Sequence, residues 1–209
     1  MDLVQKEADI DVFFDLTVGE RFTLVHDLLA SNVATPALPA DYELANLKPL
    51  YLAALPEDEI DYFDEDVFAH FYANPGLNEI LTLLLPKHKL KYEAESIMQD
   101  AELTVYQEVW QDMLRFAEVE TAAIKADYDD DGDVVVTFEF ADKAWRYDYE
   151  GGEEYLTHNI FNDFNDFAEQ AGLEQRFLPD LVDEYWLATF LLPKAAYQTL
   201  EKYSPIPGY

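Results

Sequence analysis

The sequence has no cysteine and little positive charge: 13 lysines and arginines stand against 44 aspartates and glutamates in 209 residues, a formal charge of −31. Without cysteine there are no disulfides, no thiolate metal sites and no cysteine nucleophile, and the composition fits a reducing compartment. So acidic a chain is not expected to bind nucleic acid or an anionic membrane directly, and a basic partner is the natural expectation. Serine is scarce, at positions 31, 96 and 204, and none stands in a G-x-S-x-G elbow. No glycine-rich phosphate loop occurs. The four histidines, at 26, 70, 88 and 158, form neither an HxxxH nor an HExxH pattern. No apolar run approaches the roughly 20 residues that span a bilayer. The opening MDLVQKEADIDVFF lacks the basic segment and apolar core of a signal peptide. These absences lead to the expectation of a non-enzyme without a cofactor, working in the cytoplasm.

What is present is material for a core. Half the residues are hydrophobic and 15% are aromatic, the opposite of the aromatic-poor composition that keeps acidic chains unfolded. The acidity is therefore expected on a folded surface. It is not a tail, since the segment before residue 119 holds 24 acidic and 7 basic residues and the remainder 20 and 6. A plainer reading of the same charge is a surface that only keeps the protein soluble.

The pattern of apolar residues predicts an α+β fold: a mostly helical region over 1–118, then an α+β region over 119–209, with one continuous core as an alternative. In the first region Thr17-Val18-Gly19-Glu20 fits a capping box, followed by Phe22, Val25, Leu28 and Leu29 at helical spacing. A second helix is expected around Pro49 and closed by Pro56. Phe63, Val67, Phe68, Phe71 and Tyr72 form one stripe of a third, with acids gathered at its beginning. Leu77 to Leu85 make an apolar helix stopped by Pro86. The cluster Lys87, His88, Lys89 and Lys91 is expected to complement that helix's negative end. Tyr106, Val109, Trp110, Met113, Leu114 and Ala117 draw one more helical face.

In the second region the period changes to two. Val134, Val136, Phe138 and Phe140 fall on one side of a strand, and Trp145, Tyr147 and Tyr149 on one side of the next, which predicts a three-stranded antiparallel meander over 124–149. Thr157 can cap a helix whose Ile160, Phe161, Phe164 and Phe167 would cover that sheet. Gln175 to Leu178 and Tyr185 to Leu192 read as two further strands of the same antiparallel sheet. Pro193 suits the first turn of a closing helix.

Residues with a site-like character are few. Asp127, Asp129, Asp131 and Asp133 with Gly132 match the first half of a calcium loop, a weak metal candidate. The position for the bidentate glutamate falls on Phe138, and the flanks are strands, so a hairpin turn built from Asp and Gly is the simpler account. Candidate partner-binding residues are Asp129, Asp130, Asp131 and Asp133 at this tip, with Trp145 and Tyr147 as aromatic anchors if their face is open. Packing under the following helix is the competing role for those two rings. Asp61, Asp64 and Glu65 form a second acidic edge, which also serves simply to start a helix.

Over the last ninety or so residues DGDVVVTFEFADKAWRYDY, FNDFNDF and RFLPDLVDEYWLATFLLPKAAYQTLEKY together resemble the immunity proteins of bacterial polymorphic toxin systems. Leu192 stands where a capping threonine precedes the proline in that pattern. The resemblance implies a cytoplasmic antidote that binds and blocks a basic partner such as a nuclease toxin. Two other functions remain open at this stage: a mimic of DNA that inhibits a nucleic-acid-binding protein, and a calcium-responsive binding domain decided by the Asp127 to Asp133 loop.

Overall fold

The structure is a computed structural model that describes residues 3–30, 33, 35–39, 41–55, 57, 59–93, 102–121, 123–151, 156–182 and 186–204. Pro56, Gly152, Tyr185 and the tail after Ser204 lie outside the described residues. In chain order the elements are α1 (Leu3–Asp15), α2 (Val18–Ala30), α3 (Leu44–Ala54), a 3₁₀ turn (Ile60–Tyr62), α4 (Glu65–Tyr72), α5 (Leu77–Leu84), β1 (Lys89–Glu93), α6 (Glu102–Phe116), β2 (Lys125–Tyr128), β3 (Val134–Phe140), β4 (Lys143–Tyr149), α7 (Asn159–Gln170), β5 (Gln175–Val182), β6 (Trp186–Pro193), α8 (Lys194–Leu200) and a second 3₁₀ turn (Glu201–Tyr203). The fold is α+β, as the periodicity predicts.

The chain forms two compact units, Met1–Lys89 with Leu192–Ile206, and Leu90–Leu191 with Pro207–Tyr209. This division falls earlier than the expected one at 118, because α6 buries its Tyr106, Val109, Trp110, Met113 and Leu114 in the core beneath the sheet strands. The closing helix α8, expected with the strands, belongs instead to the helical unit.

In the helical unit the start of α2 is fixed by the expected capping box. The Thr17 amide donates to the Glu20 carboxylate at 2.8 Å and the Glu20 amide to the Thr17 hydroxyl at 3.3 Å. The Thr17 hydroxyl donates to the same carboxylate at 2.7 Å, and this bond, with that from the Thr17 amide, holds Glu20 below its ordinary pKa. Arg21, one residue on, is buried. Its guanidinium donates to the carbonyls of Leu16 and Pro75 at 3.1 and 2.6 Å and to the Asn74 side chain at 2.5 Å, so every polar edge is matched. The charge thereby ties the start of α2 to the Asn74-Pro75 turn. Helix α3 accommodates Pro49, and Leu47 is its fully buried residue. Five leucines and isoleucines of α5 are buried, and its N-terminus is closed by Glu79 accepting from the Gly76 amide at 2.8 Å.

In the other unit β2, β3 and β4 form the expected antiparallel meander. Val136 faces Tyr147 and Phe138 faces Trp145, pairings of β-branched and aromatic residues that stabilise a sheet face. The β3–β4 loop is Ala141-Asp142, both with positive φ (52° and 60°), the conformation a two-residue hairpin needs. Helices α6 and α7 supply the cover: Trp110 stacks on Tyr147 at 4.6 Å, and the Phe167 edge meets Phe138 at 5.2 Å and Trp145 at 4.8 Å.

The last two strands do not extend this meander, which corrects the expectation of a single sheet. Residues 89–93, expected as a basic helix end, form β1, and the second sheet runs β1-β6-β5 with β6 central. Leu187 to Leu192 are all buried, as a central apolar strand requires. Thr189, the one polar residue in that run, donates its hydroxyl to the Leu178 carbonyl at 2.9 Å. β5 lies at an edge, where Pro179 is tolerated because no ladder partner needs its missing amide.

Candidate functional site

The Asp-rich tip of the meander is a hairpin turn whose carboxylates serve the turn itself. Asp129 Oδ1 accepts from the amides of Asp131 and Asp133, each at 3.0 Å, and Gly132 takes the left-handed φ of 91°. Asp127 accepts from the Tyr128 amide at 2.9 Å, and Asp133 from the Gly151 amide at 3.3 Å. The carboxylates of Asp127, Asp129 and Asp133 thus accept from nearby backbone amides. Among the described residues no group of three or more His, Asp or Glu is placed to hold a metal ion. Arg146 lies 2.5 Å from Asp148 and 3.8 Å from Asp129 and neutralises part of the tip. Asp130 and Asp131 remain exposed.

The two aromatic candidates beside the tip take the packing role. Trp145 is 7% exposed, donates its indole N–H to the Phe140 carbonyl at 3.4 Å and carries Lys143 over its ring at 3.6 Å. Tyr147 is sandwiched against Trp110, and burial pushes its phenol well above the usual range. The face carrying Trp145 and Tyr147 is closed by α6 and α7. Trp145 is buried there and Tyr147 half-buried.

Beneath this sheet runs a short polar chain. Trp110 donates its indole N–H to the Tyr149 hydroxyl at 2.8 Å, and that hydroxyl bonds in turn to Asp163. Burial raises the Asp163 carboxyl, Tyr149 partly offsets this, and Asp166 adds to it. An open depression of about 380 Å³, lined by Leu114, Arg115, Glu118, Val119, Thr121 and Ile124 among others, lies in the same unit. Its walls mix apolar side chains with charges of both signs, and no convergent set of polar groups defines a ligand.

The second acidic edge, in the helical unit, has a different character. Asp64 caps α4, accepting from the amides of Asp66 and Val67 at 2.8 and 3.1 Å; Glu65 pairs with Lys48 at 2.6 Å; Asp61 is exposed on the 3₁₀ turn. The expected stripe of α4 divides in two. Phe68 (3%) and Tyr72 (5%) are buried, stacked on each other at 4.9 Å and against Tyr51, each at 5.2 Å. Val67 (49%) and Phe71 (52%), one turn apart, face solvent, and on the preceding turn Ile60 is 42% and Tyr62 85% exposed. Sequence reasoning assigned Val67 and Phe71 to the core and passed over Ile60 and Tyr62. The available signal was an α4 segment apolar on more than one side, EDVFAHFY.

Among the described residues no helix is long and apolar enough to cross a membrane. Compared with family models, with curated proteins and with solved structures, the chain matches none of them.

Proposed function

We propose that this chain is a non-enzymatic binding protein, a cytoplasmic inhibitor of the immunity or antitoxin kind that blocks a basic partner such as a nuclease toxin. The observation that carries the reading is the charge of −31 on a folded chain with a well-filled core. An acidic inhibitor finds a basic enzyme by electrostatic steering, with association rates reaching about 10⁸ to 10⁹ per molar per second at low salt. Carboxylates at such an interface cover the cationic groups with which a nuclease holds phosphate, and occlusion needs no chemistry from the inhibitor. The resemblance of the strand-rich segment to immunity proteins supports the same reading, and the cytoplasm is where such an antidote meets its toxin.

The test is capture of binding proteins on the tagged full chain from a lysate of its own source, released by stepwise salt, followed by assay of what is released. The expected result is one basic protein that leaves at high salt and whose enzymatic activity is suppressed by one equivalent of the chain. Absence of any salt-sensitive binder, or binding without suppression, overturns the proposal and leaves the charge as a device for solubility.

A further inference from the structure

We infer that the solvent-facing side of α4, with the 3₁₀ turn before it, is the docking face for a basic protein, with Tyr62, Val67 and Phe71 as apolar anchors inside a rim of carboxylates. The inference rests on the basic-partner reading above and names the surface that would serve it. Three observations converge on it. First, α4 is apolar on two sides, and the core uses only one: Phe68 and Tyr72 face inward while Val67 and Phe71 stand half exposed. A short helix that keeps a second apolar side in water is typical of an interface. Second, of the seven large apolar residues exposed among those described, four, Ile60, Tyr62, Val67 and Phe71, fall within residues 60–71, and the other three, Val12, Phe14 and Tyr128, lie elsewhere. Third, residues 57–71 contain seven acids and no lysine or arginine, so the anchors sit in a strongly negative field.

The occupant follows from charge. A second copy of the chain would set Asp61, Asp64 and Asp66 against their own counterparts in a two-fold contact, placing like charges face to face. An anionic membrane is repelled for the same reason. A basic protein surface with an apolar depression meets both requirements: its cations satisfy the rim, and the depression removes Tyr62, Val67 and Phe71 from water. Aromatic and aliphatic anchors inside a charged rim are the arrangement in which a few residues carry most of the binding energy. The meander tip has acids and one part-exposed ring, Tyr128 (44%), whose hydroxyl donates to the Glu102 carboxylate at 2.9 Å, and it is expected to contribute to steering only.

The experiment places a photoreactive phenylalanine analogue in the full chain at Phe71, or in parallel at Asp130 of the tip, and irradiates each in lysate of the source organism. The expected result is a crosslink from position 71 to a basic protein, lost at high salt. With that protein purified, Val67→Ser and Phe71→Ser together should weaken the complex about 30-fold or more, chiefly through faster dissociation. Both side chains are half exposed and lie outside the buried core, and circular dichroism checks that the fold stays intact. A basic protein crosslinked from Asp130 and not from position 71 overturns the docking face and leaves the inhibitor reading standing. A crosslink from position 71 to a second copy of the chain overturns the basic occupant. No basic protein crosslinked from either position overturns both.

Discussion

Asn165 supports a sheet edge from outside the sheet, and its removal should be costly for that reason. Its side-chain N–H donates to the Phe177 carbonyl at 2.7 Å while its carbonyl accepts from the Phe177 amide at 2.7 Å, so one helical amide satisfies both outward backbone groups of an edge residue. Phe177 itself is fully buried. Asn165→Ala deletes both hydrogen bonds and leaves two backbone groups without a partner, at about 1–3 kcal/mol apiece, against a gain of roughly 0.5 kcal/mol in helix propensity. The expected loss is about 1.5–5.5 kcal/mol. Asn162 supplies an internal control, because it sits in the first copy of the doubled Phe-Asn-Asp on the same helix but is exposed. Asn162→Ala should be neutral or slightly stabilising. Urea denaturation followed by tryptophan fluorescence reads the right unit, since Trp110, Trp145 and Trp186 all belong to it. If the two alanine variants unfold at the same midpoint, the edge-support argument is wrong.

Gly151→Ala should destabilise the meander by about 1–3 kcal/mol, because a Cβ there would lie 1.9 Å from the Gly132 backbone carbonyl. Gly132→Ala meets nothing within 4 Å and should cost only the left-handed φ, about 1–2 kcal/mol; amide exchange in the turn reads both variants, and a Gly151→Ala protein as stable as the parent would refute the steric account. Asp163→Asn should stabilise the protein at neutral pH. Burial raises the folded carboxyl above its ordinary 3.8, so ionised Asp163 opposes folding above its folded pKa and ceases to do so below 3.8. The advantage of the asparagine variant should therefore shrink as pH falls towards 3.8, and an advantage independent of pH would show that ionisation is not its cause.

The meander was legible because its sequence alternates between two faces: Val134, Val136 and Phe138 are buried while Glu139, Arg146 and Asp148 are exposed, with Val135, buried on the opposite face, the exception. The capping box before α2 and the apolar run of β6 were equally plain, since each depends on a few neighbouring residues. What the sequence hid was pairing at a distance. Nothing in KLKYE announces a strand, and β1 exists because β6 has a second edge to satisfy, a demand that arises about a hundred residues later. Without β1 in view, β5 and β6 were assigned to the meander by default. The return of α8 to the helical unit was hidden for the same reason, since Ala196 and Leu200 specify an inward face but not the unit that receives it.

The candidate surface on α4 was obscured by a limit of periodicity itself. Val67 and Phe71 are separated by four residues, and so are Phe68 and Tyr72, so both pairs satisfy the spacing of a buried stripe. Adjacent stripes differ by only one residue, about 100° around the helix, and the pattern reports that both are apolar without saying which one the core takes. Partners decide it: Tyr51 on α3 packs against the rings of Phe68 and Tyr72, whereas the ring beside Phe71 is that of its neighbour His70, at 5.3 Å. Acids could not settle it either. The same carboxylate of Asp64 that accepts from the α4 amides also belongs to the rim, so helix initiation and partner attraction leave one signature in sequence. Exposure separates them, because capping α4 requires Asp64 but gives no reason for Tyr62, Val67 and Phe71 to stand in water.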